Sequence, residues 1–210
     1  MTLSLPLILA SASPRRAVLL TQMGLSFRTL ISGSEELPPA AGEEILDWAQ
    51  RAALEKARTS ARSLTSTEPA LILGADTVVV LPVASDAHVP LLHGNPAQIL
   101  GKPGTPEIAR DMLARLSGTS HIVVSAFALL THPAGESITD VVETRVQFTL
   151  LSEEEITRYI SSGEPLDKAG AYGIQGLGAV FIESIEGDYY TVVGLPLARL
   201  WQRLQPWRSA

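Results

Sequence analysis

The sequence predicts an α/β protein, a mixed sheet wrapped around a cleft and parsed as two lobes, and three observations carry that prediction. The first half alternates short β-branched runs with amphipathic helical patterns. The second half instead contains two long strand patterns around a short turn, one of them alternating apolar and polar residues. Finally, no Pro-, Gly- or Ser-rich linker divides the 210 residues, so 1–210 reads as one domain whose two lobes share no clear boundary.

Each element follows from local chemistry. Leu7 to Ala10 (LILA) is a buried strand, Ser11 to Ser13 a turn, and Pro14 the first residue of a helix with Ser13 as its N-cap. FRTLIS, 27–32, has strand character, and SGSEELPPAAG is a loop holding Glu35 and Glu36. Across EEILDWAQRAALEKARTSARSL, Ile45, Trp48, Ala49, Ala52, Ala53 and Ala57 recur at helical spacing. ALILGADTVVVL reads as a buried strand, and Pro82 to Pro96 as an exposed excursion. QIL is then extended, and a helix starts at Thr105-Pro106 and stops before Gly118.

HIVVSAFALLT and ITDVVETRVQFTLL form a predicted hairpin with one wetted face. On its second strand Val142, Thr144, Val146, Phe148 and Leu150 point one way and Glu143, Arg145, Gln147 and Thr149 the other. Ser152 and Glu155 make a capping box for EEEITRYISS. A glycine-punctuated loop, the strand VFIESIEG and a helix from Pro196 complete the chain.

Composition narrows the function. A net charge of -6 lacks the basic footprint of a nucleic-acid binder, and no apolar run approaches the ~20 residues of a membrane span. With no secretory signal pattern either, the expected location is the cytoplasm. The absence of cysteine excludes disulfides, thiolate metal sites and thiol nucleophiles, so any metal takes oxygen or imidazole ligands. His88, His93, His121 and His132 show no metal spacing and read as surface or loop residues.

Chemistry concentrates at a few positions. A helix start at Ser-Pro-Arg-Arg aims backbone N–H groups and two permanent charges, Arg15 and Arg16, at one spot, which suits a phosphate. Lys56 lies within the apolar stripe of its helix, where an ammonium must reach the surface or meet an anion. Asp76 falls inside an apolar strand run, where a carboxylate needs a cation or metal partner. Lys102, in the turn GKPGT, adds a point charge. AGAYGIQGLG precedes a strand and opens no helix, so it fails the dinucleotide-fingerprint test. Cations at 15, 16, 56 and 102 with carboxylates at 76 and at 35 or 36 form the inventory of metal-assisted polyphosphate chemistry.

On LASASPRR, SEE, ALEKA, GADTVVV, LGKP, LSGTSH, DKAGAYGIQG and GDYYTVVGLP, the sequence resembles the Maf family of nucleoside triphosphate pyrophosphatases over nearly its whole length. The late motif GEPLDKAGAYGIQG is similar to the branch acting on dTTP and UTP. The resemblance implies a Maf/ITPase-like α/β fold with a deep cleft between two lobes, a dimer, and a divalent cation, Mg or Mn. It implies that Ser11, Arg15, Arg16, Lys56 and Lys102 bind the triphosphate and that Asp76 is catalytic, as a base or through a metal shared with Glu36. It links Arg16, Thr77 and Gln175 to base selection. The segment Pro82 to Pro96 is longer than the family's usual hairpin. The expected reaction cleaves between the α and β phosphates of a nucleotide; the competing expectations are a nucleotide-binding regulator of septum formation and a purine-type pyrophosphatase.

Overall fold

The computed structural model describes residues 2–31, 33, 38–82 and 97–209. In chain order its elements are β1 (Leu7–Ala10), α1 (Pro14–Gln22), β2 (Phe27–Thr29), α2 (Ile45–Ala61), β3 (Ala70–Pro82), β4 (Ala97–Leu100) and α3 (Pro106–Leu116). There follow β5 (Ser120–His132), β6 (Ser137–Phe148), α4 (Glu153–Ser161), β7 (Ile182–Glu186), α5 (Tyr189–Val193) and α6 (Leu197–Arg203). The fold is mixed α/β, with a seven-stranded sheet of order β2-β1-β3-β5-β6-β7 and β4 paired to β3. Two compact units share the chain. Their boundaries at Asp76/Thr77, Val124/Ser125 and Val142/Glu143 fall within β3, β5 and β6.

The first unit takes the chain up to Asp76, Ser125–Val142 and the residues from Gly194 on. Here β1 pairs in parallel with β2, Leu7 opposite Phe27, and with β3, Ala10 opposite Gly74. The chain leaves β1 through α1 to β2 on one side and returns through α2 to β3 on the other. Crossover direction therefore reverses between β1 and β3, and open α/β sheets bind ligands beyond the carboxyl ends of strands at such a point. Ile8, Ala10, Ala57, Ala70, Ile72 and Leu130 pack together beneath it.

The second unit comprises Thr77–Val124 and Glu143–Val193. β4 runs antiparallel to the end of β3, Leu100 opposite Val79, and β7 antiparallel to β6, Ile185 opposite Val146. Thr105 Oγ1 accepts the Ile108 N–H at the start of α3, and Ser152 and Glu155 form the expected reciprocal cap on α4. The core gathers Val79, Leu113, Leu116, Val146, Phe148 and Ile156.

Several local expectations are corrected. Ser13 stands at the N-cap of α1 but its side chain makes no cap bond; instead Ser11 Oγ accepts the Ser13 N–H at 3.2 Å. The wetted face belongs to β6 alone, because β5 is buried at every residue between its ends. Leu150 is 83% exposed, since β6 stops at Phe148 and the alternation stops with it. The strand expected over 27–32 is only Phe27–Thr29, and α5 is an added short helix. His121 is neither on the surface nor in a loop: as the second residue of β5 it is fully buried. Most of the excursion between Pro82 and Pro96, with His88 and His93, lies outside the described residues, as do Glu35 and Glu36.

Candidate active site

The first unit builds a charged cluster at the carboxyl end of β1. Ser11 follows directly from β1, and Arg16 is the third residue of α1. Arg16 Nη1 donates to Ser11 Oγ at 2.9 Å and to the Ala75 carbonyl at 2.8 Å, while Nε donates to the Gly194 carbonyl at 3.0 Å. The guanidinium fork thus joins three chain segments, and Arg16 is only 9% exposed. Arg15, half-buried, is the second residue of α1.

Asp76 lies two residues beyond Gly74, the partner of Ala10, and so stands just past the carboxyl end of β1. Its carboxylate is buried and takes an ion pair from Lys56 Nζ on α2. Both predicted oddities of sequence therefore answer each other: the lysine in an apolar stripe and the acid in an apolar strand are one pair. Pairing is what lets two nearly dry charges persist, because either alone would carry an uncompensated desolvation cost.

Gly74 brings them together. A Cβ there would lie 2.8 Å from the Ala57 amide nitrogen and would overlap the Ala53 carbonyl oxygen. The α2 backbone thus rests directly on β3, which only glycine permits, and Lys56 is carried in beside Ala57. A glycine inside a β-branched run was the signal in the sequence.

Thr77, Lys102 and Gln175 belong to the second unit. Thr77 is half-buried on β3, and Lys102 is exposed in the turn after β4. That turn is tied to the glycine-rich segment: Gly170 N–H donates to the Gly101 carbonyl at 3.1 Å and Gly104 N–H to the Leu166 carbonyl at 3.4 Å. Gln175 is exposed on the same segment, which forms short 3₁₀ turns ahead of β7 and opens no α-helix.

Sequence reasoning missed the groups that hold this segment. Glu164 accepts the Leu177 N–H at 2.9 Å, the Gly178 N–H at 3.3 Å and the Tyr159 hydroxyl at 2.9 Å. Burial pushes the Glu164 carboxyl up, but those donors and the Lys168 charge outweigh it and hold it below its ordinary value. Burial first, then the Glu164 contact, pushes the Tyr159 hydroxyl up. His121 Nε2 meets the Tyr172 hydroxyl at 2.7 Å, with Phe148 and Tyr172 edge-on to its ring. Burial drives the His121 pKa down to about 3, so the imidazole is neutral.

As to metal, Asp76 supplies one hard oxygen donor. Among the described residues no three His, Asp or Glu side chains gather as a metal cluster. Mg²⁺ commonly uses only one or two carboxylates with water and substrate phosphates, so Asp76 fits as one protein ligand of such an ion, and Glu36, the other expected carboxylate, lies outside the described residues.

A reversal point among the parallel strands β2, β1 and β3, a helix start with a hydroxyl and arginines, and a buried Lys-Asp pair together define an α/β protein suited to binding and processing a phosphorylated ligand. The chain belongs to the Maf-like protein family, whose model matches residues 6–207. It is 43% identical over 205 residues to the dTTP/UTP pyrophosphatase of Syntrophus aciditrophicus, covering 95% of this chain and 88% of that one. It is 45% identical over 203 residues to the dTTP/UTP pyrophosphatase of Moorella thermoacetica, covering 94% and 93%. A solved nucleoside-triphosphatase/dITP/XTP pyrophosphatase from Mycobacterium abscessus aligns over 96% of each chain at 15% identity, with a TM-score of 0.42, too distant a likeness to bear on the site.

Proposed function

We propose that this chain is a nucleoside triphosphate pyrophosphatase that hydrolyses dTTP and UTP to the monophosphate and pyrophosphate, clearing unwanted pyrimidine nucleotides from the pool. The observation that carries the reading is the buried Lys56–Asp76 pair beside the Arg16-held Ser11 turn, in a chain so similar to curated dTTP/UTP pyrophosphatases.

In this reading Ser11, Arg15, the start of α1 and Lys56 take the triphosphate, and Lys102 adds a further cation. Lys56 serves Asp76 and an incoming phosphate oxygen alike, drawing the anhydride toward the carboxylate. Asp76 accepts the proton of the attacking water, and water adds at the α phosphorus as the bond to the bridging oxygen breaks and pyrophosphate departs. A divalent cation, Mg or Mn, would be held by Asp76 and Glu36 with the phosphates, and would supply charge neutralisation on the leaving group. Arg16 holds Ser11 and the Ala75 carbonyl in place. Thr77 and Gln175 are assigned to the base, where a glutamine amide matches the N3–H and O4 of uracil or thymine.

The proposal extends to a cytoplasmic homodimer acting on free nucleotides, neither nucleic acid nor membrane. The acidic net charge speaks against a nucleic-acid partner, and no helix among the described residues is long and apolar enough to cross a membrane. A regulator with incidental turnover is the less favoured reading, because the relatives named above are pyrophosphatases.

Product analysis with dTTP and Mg or Mn tests the reaction. Pyrophosphate and dTMP are expected; orthophosphate with dTDP refutes it. Asp76→Asn should lose roughly 10²–10⁴-fold in kcat while keeping the native circular dichroism spectrum.

A further inference from the structure

Glu164 lies outside the cluster around Asp76, yet it makes more contacts to the segment bearing Gln175 than any charged group described above. Its carboxylate receives the backbone N–H groups of Leu177 and Gly178, two and three residues after Gln175. It also receives the Tyr159 hydroxyl, whose oxygen accepts the N–H of Gly173, two residues before Gln175, at 3.1 Å. The turn between closes on itself, Gly176 N–H to the Gly173 carbonyl at 3.4 Å. Lys168 Nζ anchors the base of this arrangement, donating to the Glu164 carbonyl at 2.6 Å and to Asp167 Oδ1 at 2.7 Å.

We propose that Glu164 is a positioning residue for base selection: with Tyr159 it fastens both flanks of Gln175, so that the amide meets a pyrimidine in one orientation. The inference rests on the pyrimidine triphosphate reading above. Uracil and thymine present a donor at N3 and an acceptor at O4, whereas cytosine presents the reverse pair. An amide free to flip serves both, so discrimination needs the amide held in one place and orientation, and the main chain that carries it sets where the amide can reach. Gln175 is itself exposed, and the restraint has to be supplied by its neighbours.

Gly176 gives an independent handle. A Cβ there would sit 2.5 Å from Glu164 Cδ, so the carboxyl group lies flat against the turn. The backbone at Gly176 has φ -115°, outside the left-handed region that favours glycine, so Gly176→Ala acts chiefly through the collision with Glu164.

The test uses the full chain with a divalent cation and compares kcat/KM for UTP and CTP in the wild type, Gln175→Ala, Glu164→Ala, Glu164→Gln, Gly176→Ala and the Glu164→Ala/Gly176→Ala double variant. Amide exchange at Leu177 and Gly178 is followed in each. Expected is a UTP/CTP ratio lowered roughly tenfold in Glu164→Ala and in Gly176→Ala, mostly through KM for UTP. Exchange at Leu177 and Gly178 should quicken while that at Leu113 and Val146 holds. Glu164→Gln, which keeps one acceptor oxygen, should fall between. The double variant should be no worse than either single change, since Gly176→Ala acts by displacing a carboxylate that is already gone. Faster exchange at Leu177 with an unchanged ratio overturns the inference alone, as does additivity in the double variant. A wild type without a preference for UTP over CTP, or a Gln175→Ala variant that keeps all of it, overturns the base-selection reading and this inference with it.

Discussion

Gly74→Ala probes how backbone contact sets the Lys56–Asp76 pair, to which the proposed function assigns the chemistry. The new methyl would lie 2.8 Å from the Ala57 amide nitrogen, and ordinary contact begins near 3.4 Å, so α2 must retreat by about 0.6 Å there and further at the Ala53 carbonyl. Neither obstacle is a flexible side chain. Both are helix backbone, and the helix moves as a body, taking Lys56 away from Asp76. Overpacking of this kind costs about 1–3 kcal/mol, which for a chain this size lowers Tm by about 3–10 °C. The activity loss should exceed what instability explains, because misplacing a catalytic group by about 1 Å costs up to ~10²-fold. Calorimetry gives Tm, and kcat for dTTP measured at least 20 °C below it, an interval chosen from the expected ~3–10 °C shift, isolates the geometric effect. A variant with wild-type Tm and kcat would refute the reasoning, since β3 would then tolerate a side chain beneath α2.

Two further expectations follow from named contacts. Arg16→Ala removes the bonds to Ser11, Ala75 and Gly194 and should destabilise by about 2–4 kcal/mol in urea titration; Arg16→Lys should recover less than half, because an ammonium cannot reproduce the fork. For His121 the folded pKa of about 3 lies below the unfolded value of about 6.5, so the unfolded chain binds the proton more readily. Stability is thus full above pH ~6.5 and falls by up to ~1.4 kcal/mol per unit as pH drops toward 3; urea midpoints at pH 7 and 4.5 measure it, and His121→Gln should flatten the slope. An equal slope in that variant refutes the assignment.

The chain's local grammar is readable in sequence because its causes lie within a few residues. Pro14 starts α1, Thr105 caps α3, Ser152 and Glu155 cap each other, and the apolar stripe of α2 buries Trp48, Ala49, Ala53 and Ala57. The motifs of the first unit also pointed to Ser11, Lys56 and Asp76 as special, because charges and hydroxyls at strand ends or in apolar stripes stand out against their surroundings. Which group each one meets was decided by tertiary structure. Arg16 binds a carbonyl 178 positions away, Lys56 an acid 20 away, and Glu164 amides 13 and 14 away, separations at which no periodicity operates. His121 looked like a surface residue because a lone polar residue at a strand end carries no burial signal; the aromatic walls that enclose it, Phe148 and Tyr172, come from β6 and the glycine-rich segment. Hydrophobic period and capping are properties of one element, whereas ion pairs and clamps belong to two, and their geometry exists only once the sheet order brings distant strands and helices side by side.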